Sequence, residues 1–415
     1  MKFIKTYDSG LKVVAENMPH LYTVSFGVYV NVGSSFENEN QNGYCHLIEH
    51  MNFKGTKTRT ALEIMEQMEN LGAQVNAYTT KDSTCFYFKC FEDDFELCAE
   101  MLADMYFNST FNEKELEAEK RVVIEEIAEI EDLHDEKCFE LASQAIFADQ
   151  KLGMPIGGTE ENVSKATRQD LLDFKNKYYC AKNTIISVAG KVDQEKLDAI
   201  IKKYFESNFV NNQGQYYFEQ ATDYSSKFLY KICDSEQSHL CYAYPTFPSM
   251  HENTPQTAVL SYILGGGMTS RLFQSVREKH GLAYSVYAFR SAYRNAGYLQ
   301  IYAAINSENV LKTNKLIKEE INLLLKDGVT QQELDRAKAQ LIKSFYMSLE
   351  GNNGVMPING RRLLKTGQLI DVEHEVNLIK AITVDDVNKL AQEIFTQNYA
   401  LAYVGKSFEG IDSLK

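Results

Sequence analysis

Apolar and polar positions alternate with a period of two at the start of the chain. The stretches "TYDSGLKVVAEN" (6–17) and "YTVSFGVYVNVG" (22–33) therefore predict strands, the first turning at Ser9-Gly10. The period then lengthens. "TALEIMEQMENLG" (60–72) predicts a helix with Thr60 and Glu63 as a capping box and Gly72 as its left-handed stop. "QVNAYTTKDSTCFYFKCF" (74–91) returns to strand alternation on both sides of Lys81-Asp82-Ser83, a hairpin. Two longer helical patterns follow, "EDDFELCAEMLADMYF" and the one containing "KRVVIEEIAEIED". Strand pairs set between helical blocks predict an α+β fold with a largely antiparallel sheet packed with helices.

The pattern then occurs a second time. "TRQDLLDFKNKYYCAKNTIISVAGK" (167–191) is echoed by "TVDDVNKLAQEIFTQNYALAYVGK" (383–406): a Thr-capped helix, an aromatic near its end, an Asn, and an apolar strand closing in Gly-Lys. "FNEKELEAEK" (111–120) is echoed by "VTQQELDRAK" (329–338), each with a polar cap and Glu three residues on. The offsets agree at 215 to 218 residues. Two homologous domains, 1–210 and 217–415, are the economical reading, with a seam near "FVNNQGQYY" (209–217).

Length and charge narrow the function classes. A chain of 415 residues suits two or three domains. The formal net charge of -14 argues against a nucleic-acid partner and favours, by long-range steering alone, basic peptides. No apolar run approaches the ~18 residues of a membrane span, and "MKFIKTYDSGLKVVAENMP" has no apolar core of signal-peptide length. The eight cysteines are scattered through apolar surroundings without a C-x-x-C pair, which points to reduced thiols and a cytoplasmic protein.

The chemistry concentrates in "GYCHLIEHMNFKGT" (43–56). On a helix, His46 and His50 share a face, with Glu49 one residue before the second. The plain alternative is a surface helix with two ordinary histidines and a solvated glutamate. Cys45, beside His46, reads as a buried packing thiol rather than a ligand. A catalytic zinc site needs three protein ligands and an open position, so a third ligand must come from elsewhere. The stretch "EKRVVIEEIAEIED" (119–132) offers several carboxylates, which helical geometry sorts. Val123, Ile127 and Ile130 form its apolar stripe; Glu119 and Glu126 point along that stripe, Glu125 and Glu129 away from it. A carboxylate on a buried face is expensive unless paired or metal-bound. Glu126 is therefore the candidate ligand, and Glu119 a candidate partner for a ligating histidine. The second copy lacks this chemistry. At an offset of 218, Glu119 and Glu126 become Ala337 and Ser344, and "PQTAVLSYIL" (255–264) has neither His nor Glu.

These residues carry a resemblance. "HLIEH", with a glutamate 76 residues beyond the second histidine in "VVIEEI", resembles the inverted zinc motif of the pitrilysin/insulinase metallopeptidases. The similarity is closest to mitochondrial processing peptidase and its bacterial relatives. It spans essentially the whole chain, including "NAYTTKDST" and "GGGMTSRLFQSVREKHGLAYSVYA". The resemblance implies one Zn2+ held by His46, His50 and Glu126, with Glu49 as general base. It also implies that Arg277 and Tyr284, in "REKHGLAY", hold the substrate backbone or developing oxyanion, with Asn76 and Ala77 nearest the peptide. Such proteins are one half of a clamshell that encloses peptides or presequence-like segments between two subunits. A homodimer is the simplest assembly, since one chain carries both the zinc motif and the Arg-Tyr pair; a heterodimer with a related subunit is the alternative. The competing function is a non-hydrolytic scaffold of the same fold, and another divalent ion would suit the same ligands.

Overall fold

The computed structural model describes residues 2–209 and 223–415, so the seam expected at 209–217 lies, apart from Phe209, outside the described residues. The described chain builds two sheets. The first contains β1 (Lys2–Thr6), β2 (Lys12–Asn17), β3 (Thr23–Val30), β4 (Gln74–Thr79), β5 (Thr84–Phe91) and β6 (Thr184–Gly190), in the order β1-β2-β6-β3-β5-β4. The second contains β7 (Phe228–Ile232), β8 (Gln237–Thr246), β9 (Ala283–Ala292), β10 (Gly297–Asn306) and β11 (Ala400–Gly405), ordered β7-β11-β8-β10-β9. Without β1, the two orders are one plan used twice. In each, a single parallel pair (β2 with β6, β7 with β11) sits beside antiparallel neighbours. The fold is α+β, built from two largely antiparallel sheets packed with helices.

The repeated Gly-Lys strand ending has a steric cause. Gly190 has φ +134°, and a Cβ there would lie 2.2 Å from the Thr23 carbonyl oxygen, so a side chain does not fit beside β3. Helix ends follow the caps read from sequence: Thr60, Thr167 and Thr383 each form a capping box.

Both sheets are apolar on both faces. Every residue of β6 and of β11 is buried, and such a sheet needs a cover on each side. In the first, Phe26, Phe88 and Phe205 pack on one face with α1 (Tyr44–Met51), α2 (Ala61–Asn70) and α3 (Phe95–Asn108) nearby. The opposite face, with Val14, Tyr29, Cys85 and Ile185, is covered by Val355, Met356 and Leu363 of the helix Asn352–Thr366. In the second, Leu240, Tyr242 and Ile301 face the helices Thr254–Gly265 and Val384–Phe395. Its other face, with Cys241, Ala243 and Ala402, is covered by Cys138, Ala142 and Ile146. These belong to α5 (His134–Phe147), which follows α4 (Glu113–Asp132).

The compact units are consequently not continuous in sequence. One contains described residues 2–127, 155–209 and 346–370; the other contains 128–154, 223–345 and 371–415. The packing places the helix Asn352–Thr366 against the first sheet and α5 against the second. The helix Asn352–Thr366 is closely fitted. A Cβ on Gly360 would lie 2.5 Å from Cε2 of the buried Tyr29 ring. Overpacking of this kind typically costs about 1–3 kcal/mol, against a helix-propensity gain of about 1 kcal/mol. Gly360→Ala is therefore expected to lower the denaturant midpoint of the full chain. An unchanged midpoint would show that Tyr29 can move.

Candidate metal centre

Helix α1 has only eight residues, too few to persist alone in water. Its ends are held by two buried ionisable groups. At the start, Gly43 adopts φ +103°, and the wholly buried Glu37 takes the free N–H groups that follow. Its carboxylate accepts from Gly43 N (2.9 Å), Cys45 N (2.6 Å) and Asn42 Nδ2 (3.1 Å). At the other end, Asn52 Nδ2 donates to the Ile48 carbonyl (2.9 Å), while Asn52 Oδ1 accepts from Lys175 Nζ (2.7 Å). Lys175 is itself buried beside the rings of Phe111 (5.0 Å), Tyr106 (5.8 Å) and Tyr179 (5.8 Å). An acid at the N-terminus and an amine at the C-terminus match the helix dipole. Burial opposes both charges, pushing Glu37 up to about 7 and Lys175 down to about 7.

Tyr44, Cys45, Leu47, Ile48 and Met51 turn into the core, leaving His46, Glu49 and His50 half-buried on the opposite side of α1. Cys45 is fully buried and its thiol is pushed far up by desolvation, which makes it unreactive. The two imidazole Nε2 atoms are 3.2 Å apart. Glu126 Oε2, from α4, lies 3.7 Å from His46 Nε2 and 3.4 Å from His50 Nε2. On α4, Glu119 is buried and Glu126 half-buried, while Glu125 and Glu129 are exposed, the division that the helical stripe predicts.

The three atoms fit a tetrahedral ion. Bonds of about 2.0–2.2 Å imply ligand–ligand edges of about 3.3–3.6 Å, close to the observed separations. Burial and the neighbouring His50 pull His46 down to about 4, so its ring is neutral with a lone pair free to coordinate. His50 is oriented from behind: its Nδ1 is 2.9 Å from Glu119 Oε1, whose other oxygen pairs with Lys54 Nζ at 2.7 Å. Burial lowers the affinity of His50 for a proton, but Glu119, Glu126 and Glu49 outweigh it and leave the ring above its usual value. Burial likewise raises Glu119, and His50 and Lys54 outweigh it, holding the carboxyl below its usual range. Among the described residues, His46, His50 and Glu126 are the one His/Cys/Asp/Glu group close enough to share an ion. At the equivalent places of the second copy, Ala337 is fully buried and Ser344 is exposed.

Glu49 lies on the same side of α1 but outside this trio. Its Oε2 accepts from Thr79 Oγ1 at 2.5 Å. Burial raises its carboxyl, with Thr79 and His50 opposing. Thr79 ends β4, the edge strand of the first sheet. Val75 and Ala77 of that strand pack against the core on the α1 side; Asn76 and Tyr78 face the other way. The Ala77 N–H is not used by β5; it donates to the Asn76 side-chain oxygen at 2.8 Å, and so lies on the free edge. Arg277 and Tyr284 belong to the second unit. The Arg277 guanidinium lies over the Phe273 ring (4.9 Å) and the Tyr284 ring (5.6 Å). Tyr284, 74 % exposed, lines a cavity of about 670 Å³ together with Gln237, Asn306 and Lys406.

Sequence reasoning did not find Glu37, Lys175 or Thr79. Glu37 acts from the loop just before α1, Thr79 and Lys175 from 30 and 123 residues away, and none of the three breaks a local pattern.

Comparison with known proteins agrees with the fold. Residues 12–160 match the family described as Insulinase (Peptidase family M16), and residues 165–341 match the Peptidase M16 inactive domain. The Bacillus subtilis protein named uncharacterized zinc protease YmxG is 37% identical over 402 residues, covering 97% of this chain and 98% of its own. An uncharacterized zinc protease of Mycobacterium leprae is 33% identical over 403 residues, covering 96% and 91%. Two crystal structures share the fold. The peptidase M16 inactive domain from Pseudomonas fluorescens has a TM-score of 0.91 at 21% identity, covering 98% of each chain. A protease from Helicobacter pylori has a TM-score of 0.88 at 22% identity, covering 98% of this chain and 99% of its own. This chain belongs to the insulinase family of peptidases, family M16.

Proposed function

We propose that the protein is a zinc endopeptidase that hydrolyses extended peptides. The observation that carries this reading is the His46–His50–Glu126 trio at tetrahedral spacing, with Glu49 held beside it by Thr79. The names of the zinc protease relatives support the choice of metal. Zn2+ bound by the trio would polarise the scissile carbonyl and make water nucleophilic near neutral pH. Glu49 takes the proton of the attacking water and passes it to the leaving amine. A peptide pairs with the free edge of β4 and replaces Asn76 Oδ1 as the acceptor for the Ala77 N–H. Arg277 and Tyr284 hold the substrate backbone or the developing oxyanion. We assign the working form as a homodimer in the cytoplasm. Eight free cysteines, seven of them buried, suit a reducing compartment.

The test is hydrolysis of quenched-fluorescent basic peptides by the zinc-loaded and chelator-stripped protein, with zinc content measured on both. Activity that disappears with the metal and returns with it is expected. Bound zinc without hydrolysis would favour the scaffold reading. In the same preparations, Glu119→Gln is expected to weaken zinc binding roughly 10–100-fold, because Gln cannot orient His50 through a charge-assisted bond. Unchanged affinity would remove Glu119 from the site.

A further inference from the structure

The side of β4 turned away from α1 carries a charge that the mechanism above does not use. Arg361, on the helix Asn352–Thr366, reaches Tyr78 of β4. Its guanidinium donates to the Tyr78 hydroxyl at 3.2 Å and lies 5.6 Å from the ring centroid. Two arginines of this acidic chain bind carboxylates: Arg59 holds Glu100 and Asp104 at 2.7 and 2.9 Å, and Arg271 holds Glu333 at 2.7 Å; Arg168 and Arg290 instead donate to backbone carbonyls. Arg361 has no carboxylate partner among the described residues, and it is exposed. A phenol accepts a hydrogen bond but leaves the positive charge uncompensated.

Strand geometry places that charge beside the substrate. A peptide added to the free edge of β4 alternates its side chains between the two faces. The residue opposite Tyr78 projects to the same face as Tyr78 and lies directly beside it. Its two neighbours point to the α1 face, where Thr79 meets Glu49. A side chain close to the scissile bond therefore lies against the Arg361 fork. A guanidinium in that position favours a carboxylate, which it can bind through two parallel N–H···O bonds. The hydrogen bond and ring contact with Tyr78 restrain the fork, so less freedom is lost on binding.

We propose that Arg361, positioned by Tyr78, is a specificity residue that selects a peptide carboxylate near the cleaved bond. The inference rests on the peptidase reading and on pairing at β4. It runs against the long-range preference for basic peptides set by the net charge of -14. The bland alternative is that Arg361 only ties its helix to the strand.

The experiment uses the zinc-loaded full chain and a peptide series with Glu or Gln at each position around the cleaved bond, with free or amidated C-termini. At one position the wild type is expected to prefer Glu over Gln by roughly 10-fold in kcat/KM, expressed mainly in KM. Arg361→Gln should bring that ratio to about one, Arg361→Lys should keep part of it, and Arg361→Glu should invert it. A role confined to tying helix to strand would lower the melting temperature and leave the ratio unchanged. A preference that follows the free C-terminus, and is lost in Arg361→Gln, would identify the terminal carboxylate as the group bound. Equal use of Glu and Gln by the wild type, or a preference that survives Arg361→Gln, overturns the proposal. If no peptide is cleaved, the peptidase reading fails on its own. Fluorescence anisotropy with the same labelled peptides then still reads the Arg361 preference as binding.

Discussion

Glu49→Gln protein is expected to bind zinc as tightly as wild type and to hydrolyse peptides about 10²–10⁴-fold more slowly. Glutamine keeps the size of the side chain, and its oxygen can still accept from Thr79 Oγ1, which lies 2.5 Å from Glu49 Oε2. It cannot take a proton from water. Its amide makes no demand on the trio, because Glu49 is outside the His46, His50 and Glu126 group. The comparison needs two numbers on the same sample, zinc per chain and kcat. Retained zinc with retained turnover would show that another group is the base. The pH profile gives an independent check. Without metal, burial raises the Glu49 carboxyl above its usual value, and a bound Zn2+ would pull it back down. Catalysis requires the ionised form, so activity is present above that pKa and falls as pH drops through it. That acid limb should be absent from the residual activity of Glu49→Gln.

The second large effect is on the metal itself. Glu126→Gln should weaken zinc binding by more than the roughly 100-fold upper bound for removing an orienting partner such as Glu119. Glu126 supplies the one anionic donor of the trio, from α4, while both histidines come from α1. The amide that replaces it offers a neutral oxygen in place of the charge. The metal-free fold should be little affected, since Glu126 is half-exposed and its ion contacts are confined to the two histidines. At a zinc concentration 100 times the wild-type Kd, the wild type gains about 2.7 kcal/mol of stability. A variant weakened 100-fold gains about 0.4 kcal/mol under the same conditions. Differential scanning calorimetry with and without zinc reads this difference directly. Equal zinc-induced shifts in the two proteins would exclude Glu126 as a ligand.

What could be read along the chain was what a local repeat dictates. Two histidines four apart must share a face of any helix that forms there. Glu119 and Glu126, seven apart, must lie on the stripe of Val123 and Ile127 once that segment is helical, and Glu125 and Glu129 must not. The capping boxes at Thr60, Thr167 and Thr383 are four-residue patterns. The repeat of about 216 residues needed nothing beyond comparison of the chain with itself, and it led to the duplicated sheet.

The tertiary structure alone decided everything that depends on which distant segments meet. Glu37 holds the start of α1 from outside any helical pattern, and Lys175 reaches its end through Asn52 across 123 residues of sequence. The helices Asn352–Thr366 and α5 cover sheets formed by the other half of the chain. An apolar stripe states that a helix must be buried; it does not state against what. The free edge of β4, the bond from Thr79 to Glu49 and the meeting of Arg361 with Tyr78 follow from strand order and helix packing. Hydrophobic burial is non-directional, so periodicity specifies a face while the partner of that face is chosen only when the whole core packs.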